Sequence, residues 1–106
     1  METRRTIVCL CGSTRFKKEF IQANFEETMK GNIVLTVGCF GHADKDVYLL
    51  TSEEKRALDK LHLDKIVLSD EVLIIDVNGY IGESTQNELN HARALSKRIR
   101  FWSKRG

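Results

Sequence analysis

The chain has 106 residues, of which 30% are charged and 42% hydrophobic, with a formal net charge of +2. That length points to one domain with a modest core. So small a charge leaves no electrostatic footprint for nucleic acid, and no apolar run reaches the ~20 residues that a membrane helix needs.

The start of the chain, METRRTIV, has no apolar leader, so the expected setting is the cytoplasm. "TIVCLC" at 6–11 is an apolar run closed by Gly12, which predicts a buried strand. Cys9 and Cys11 are expected on opposite faces of the sheet, a geometry that disfavours a shared metal. They and Cys39 are read as small buried hydrophobes in a reducing compartment, and no metal is expected.

"CGSTRF" at 11–16 links this strand to a helix. Gly12 permits a tight turn. Ser13, Thr14 and the first helical N–H groups suit an anion, and Arg15 adds a positive charge. The alternative is a plain helix cap by Ser13 or Thr14. The spacing of a P-loop is missing. A helix is predicted over 16–30, marked by Ile21, Phe25, Thr28 and Met29 at helical spacing and stopped by Gly31 and Asn32.

A second strand is predicted over 32–37, followed by a long loop at 38–50 in which Phe40, His42 and Tyr48 are placed to cover a ligand. Thr51 and Glu54 form a capping-box signature that opens a helix running to about 68. Leu58, Leu61 and Leu68 should face the core, with His62 and Lys65 beside that stripe. His62 then lies away from the strand carboxyl ends, and only tertiary packing or a second subunit brings it to a site there.

"EVLIID" at 71–76 is the third strand, and a helix over 85–97 and a short strand over 98–102 complete the chain. Between them runs "GYIGESTQNEL" at 79–89. Thr85 to Glu88 fits a second capping box, with Ser84 as another possible cap. Against that reading, Asp76, Asn78, Ser84 and Glu88 should all converge beyond the carboxyl end of a central strand.

Strands alternating with helices imply an α/β fold. The expected form is a three-layer sandwich: a four-stranded parallel Rossmann-like (flavodoxin-like) sheet with helices on both faces. The first and third strands should be central, because they are the most continuously apolar. Ligands in such sheets bind outside the strand carboxyl ends.

"VCLCGSTRF", "IVLTV", "SDEVLIIDV" and "GESTQNELNHA", in that order, resemble the nucleoside 2-deoxyribosyltransferase superfamily, nearest the deoxynucleoside 5′-monophosphate N-glycosidase branch. The resemblance runs from about residue 7 to 101. It implies that Glu88 is the nucleophile at the N-glycosidic bond. Gly82, Ser84 and Thr85 would hold the 5′ side of the sugar. Cys11, Gly12 and Ser13 would line the nucleotide site, with Thr14 and Arg15 close by. The family's acid partner falls near His62, with Asp64 two residues on. The chain departs from the family pattern at Cys9, where the family has tyrosine, and at Asn90, where it has glycine; Tyr80 is the available substitute for the tyrosine. The resemblance further implies a nucleoside or nucleoside monophosphate as ligand, no cofactor, and a homodimer with Leu61 and Leu89 near the contact. A pocket that binds nucleotide without cleaving it is the alternative.

Overall fold

The computed structural model describes residues 4–45 and 49–105. It contains strand β1 (Ile7–Gly12), helix α1 (Lys17–Met29), strand β2 (Ile33–Leu35), helix α2 (Ser52–Leu68), strand β3 (Glu71–Ile75), helix α3 (Glu83–Ala94) and strand β4 (Arg98–Phe101). The four strands form one parallel sheet in the order β2-β1-β3-β4. β1 and β3 are central, as their unbroken apolar runs predict. Every residue of β3 is buried.

Helices cover both faces. On one face α1 packs Phe20 and Ala23 against Val8, Leu10, Leu73 and Ile75. On the other, Ile66 of α2 with Leu89 and Ala92 of α3 packs against Cys9, Cys11, Val72 and Ile74. Cys9 and Cys11 therefore share a face, contrary to the expectation from sequence. Successive strand residues alternate, so residues two apart point the same way.

The α1 stripe also differs. Ile21, Phe25 and Met29 are 57%, 64% and 70% exposed, while Phe20, Ala23 and Glu27 are buried. Glu27 goes inside because Arg100 of β4, 73 residues away, donates to both its oxygens at 2.7 and 3.2 Å. Lys30 and Asn32 add further bonds. Burial pushes Glu27 up, but these partners outweigh it and hold its pKa at about 2. Arg100 also reaches Glu71 at 3.1 Å, so this network lies at the end of the sheet where β3 begins.

Two helix boundaries follow from local chemistry. At the start of α2, Thr51 Oγ1 accepts from Glu54 N–H at 3.1 Å, and Glu54 accepts from Thr51 N–H at 2.9 Å, completing the capping box. α1 ends where Gly31 takes φ +87°, a left-handed conformation that glycine adopts at little cost. The expected core stripe of α2 is displaced: Leu58, Leu61 and Leu68 are exposed, and His62 and Ile66 are buried instead. Among the described residues no helix is long and apolar enough to cross a membrane.

Candidate active site

The chain turns from β1 into α1 at Gly12, which lies so close to β3 that an added Cβ would sit 2.9 Å from Ile75 Cβ and O. Only glycine lets the sheet and the turn come this near. α1 then begins without a side-chain cap. The hydroxyls expected to cap it are used elsewhere: Thr14 Oγ1 accepts from His42 N–H at 3.2 Å, and Ser13 Oγ accepts from Arg15 Nε at 3.0 Å. The Arg15 guanidinium lies 4.7 Å from the centre of the Tyr80 ring, and it forms no ion pair among the described residues.

α3 begins at Glu83 behind an extended Gly82, again with no side-chain cap. Thr85 is thus the third residue of the helix, not its cap. Glu88 lies well inside the first two turns, where no cap N–H is within its role. The second capping box read from sequence does not form. The β1–α1 turn and the start of α3 open on one cavity of about 460 Å³. That is within the ~300–1,000 Å³ range of small-molecule sites.

The cavity wall gathers most of the residues singled out by sequence. Gly12, Ser13, Thr14 and Arg15 line it from the β1–α1 turn. Tyr80, Gly82, Ser84, Thr85 and Glu88 line it from the β3–α3 segment and α3. His62 completes it from α2, because burial of Ile66 one turn later turns that face of the helix inward. Tertiary packing alone therefore brings His62 to the site.

Three expected residues lie elsewhere. Asp76 is buried and accepts from Ser103 N–H at 2.8 Å and Ser103 Oγ at 2.7 Å, so it anchors the 3₁₀ turn Trp102–Lys104. Asn78 takes φ 54° in the turn Val77–Gly79 and borders a separate surface depression with Trp102 and Arg105. Cys11 is fully buried beneath the cavity and does not line it. In the 38–50 loop, Gly38, Gly41 and His42 line the cavity, whereas Phe40 packs edge-on against Phe20 at 5.6 Å. Asp44 pairs with Lys17 at 3.0 Å, and Tyr48 lies outside the described residues.

Asp59 and Lys55, which the sequence did not single out, line the same wall from α2, and Leu58, expected in the core, lines it too. The signal was present: Asp59 precedes His62 by three residues, and residues so spaced share a helix face. Asp64, the alternative acid, is exposed and lines nothing.

The electrostatics single out one cluster. His62 Nε2 lies 3.4 Å from Cys11 Sγ and 3.7 Å from Cys9 Sγ. Cys11 as hydrogen-bond partner outweighs burial and, with His62 nearby, lowers Cys9 below the ordinary thiol range. Cys11 is raised by the same bond and by burial, so it keeps its proton. Burial would lower His62, but the Cys9 hydrogen bond and charge, with the charge of Glu88, raise it overall. Glu88 is pushed up to about 7, first by burial; His62 pulls it back, while Cys9 and Asp59 add repulsion. A carboxyl raised toward neutrality is thus held in a cleft beside the His62 imidazole. Perturbed groups of this kind concentrate at functional sites.

Compared with models of known protein families and with curated proteins, the chain matches none.

Proposed function

We propose that the cavity binds a nucleoside or nucleoside monophosphate and that Glu88 attacks its N-glycosidic bond. The observation that carries this reading is Glu88 itself: a half-buried carboxyl on the cavity wall, with a pKa of about 7 and no capping role. Its carboxylate oxygen forms a bond to the anomeric carbon while the carbon–nitrogen bond to the base breaks. The base leaves with the bonding electron pair and takes up a proton. Water then cleaves the glycosyl ester, releasing the sugar and restoring the carboxylate. His62 favours the ionised form of Glu88 by its positive charge. Asp59 is the second carboxyl on the wall.

The start of α3, which no side chain caps, and Arg15 with Ser13 from the β1–α1 turn support an anion site for a 5′-phosphate. The apolar Leu58 and Leu61 at the cavity leave surface for a second copy to cover, which supports a homodimer. Three free thiols fit a reducing, cytoplasmic setting. The reaction belongs to the glycosidase and deoxyribosyltransferase classes, which differ only in whether water or another base resolves the ester.

One observation favours a second reading, a pocket that binds nucleotide without cleaving it. Burial raises Glu88 and so favours its protonated form, and among the described residues it makes no side-chain hydrogen bond to a second carboxyl. A screen of nucleosides and monophosphates, scored by chromatography for free base, separates the two. Base release carries the first reading; stabilisation of the chain without base release carries the second.

A further inference from the structure

We propose that Cys9, Cys11 and His62 form a binding site for a thiophilic divalent cation, with Zn²⁺ the ion that the ligand set fits best. The two sulfurs and an imidazole nitrogen all lie within 4.8 Å of one another. More tellingly, His62 Nε2 is 3.4 Å from one sulfur and 3.7 Å from the other. In a tetrahedral zinc site with Zn–S of about 2.3 Å and Zn–N of about 2.0–2.1 Å, the sulfur-to-nitrogen edge is about 3.6 Å. The observed pair brackets that value, and the two sulfurs lie within 4.8 Å of one another, so one ion can reach all three.

The supports are rigid. Cys9 and Cys11 are paired to Val72 and Ile74 in the centre of the sheet, which fixes both sulfurs on the face toward α2. His62 is held by the helix turn that buries Ile66. Metal sites on strands and helices are held more closely than sites on loops. The donor chemistry also selects the ion, since two thiolates and an imidazole suit zinc and not magnesium or calcium. Two thiolates balance the charge of the ion, which a buried position demands. Any thiol still protonated releases its proton to the buffer on binding. An entry path exists, because His62 lines the cavity while the two cysteines lie just beneath its floor. Three protein ligands leave a fourth position, as in catalytic zinc sites. The inference does not rest on the glycosidic reading; it stands on three side chains and their spacing.

The test uses the full chain, reduced and metal-free, titrated anaerobically with Co²⁺. The expected result is one equivalent bound, with thiolate-to-cobalt charge transfer and the intense visible bands of four-coordinate cobalt, both removed by added Zn²⁺. Cys39→Ser keeps these signals. Cys11→Ser and His62→Gln lose affinity by about tenfold or more, because removal of a mere orienting neighbour already costs about 10–100-fold. Wild type alone can overturn the proposal, whether or not the variants fold. If it gives no thiolate charge transfer, the three side chains are joined only by thiol–imidazole hydrogen bonds. Signals that vanish in Cys39→Ser and persist in Cys11→Ser overturn it equally.

Discussion

Replacing Glu88 by glutamine separates a cleft carboxyl from a helix cap by stability alone, before any substrate is known. Folding raises the Glu88 pKa from 4.5 to about 7. The folded state then binds the proton more tightly than the unfolded state, so stability falls as pH rises. The loss begins above the unfolded value near 4.5 and is complete above about 7. The gap of about 2.5 between the two values, at about 1.36 kcal/mol each, corresponds to about 3 kcal/mol at pH 8 and to nearly nothing at pH 4. Burial sets this value first, then His62, Cys9, Asp59 and Cys11, and all of these remain in the variant. Glutamine has almost the same shape and does not ionise. Glu88→Gln should therefore be about 2–3 kcal/mol more stable than wild type at pH 8 and equal to it at pH 4. Urea denaturation of both proteins with reductant, at the two pH values, measures this directly. A difference of a few tenths of a kcal/mol at both pH values would refute the reasoning, because that is what an exposed or capping carboxyl gives.

Arg15→Ala should erase most of any preference for a nucleoside monophosphate over its nucleoside, measured by thermal shift at low and moderate salt. An unchanged preference removes Arg15 from the anion site. Asp76→Ala should cost about 1–3 kcal/mol by leaving the Ser103 N–H and hydroxyl without their acceptor, yet leave ligand binding as it was; altered binding would return Asp76 to the site. Gly12→Ala should destabilise by about 1–3 kcal/mol, since its Cβ has no room beside Ile75 and Phe20. Sedimentation at micromolar concentration should show a dimer that Leu61→Glu dissociates; a 12.2 kDa species alone contradicts the assembly.

Much of the fold could be read from sequence because it depends on local pattern. The apolar runs of β1 and β3 mark the sheet centre, and Thr51 with Glu54 marks the start of α2. What could not be read depends on distant partners. Glu27 is inside only because Arg100 meets it from β4, and that exchange turns Ile21, Phe25 and Met29 outward. Leu89, expected near a dimer contact, is taken up by the core of its own chain. The T-x-x-E pattern at Thr85 fitted a cap, but Gly82 already begins the helix three residues earlier, which moves Glu88 from cap to cavity wall. Asp76 and Asn78 follow a central strand as ligand-binding residues do, yet Ser103 takes up Asp76, and Asn78, left-handed in the turn that follows, borders Trp102. His62 reaches the site through the packing of α2, which its own neighbours in sequence do not encode. The cysteine pair was misplaced for a simpler reason, since strand alternation puts residues two apart on one face.

The most direct measurement of the central claim is base release by wild type and by Glu88→Gln, followed by chromatography across a panel of nucleosides and their monophosphates. The account predicts that wild type frees the base from at least one member, at a rate rising with pH through about 7 as Glu88 ionises. It predicts that Glu88→Gln, folded and at least as stable, loses that turnover by orders of magnitude. A substrate cleaved by wild type and cleaved at a similar rate by Glu88→Gln would contradict it.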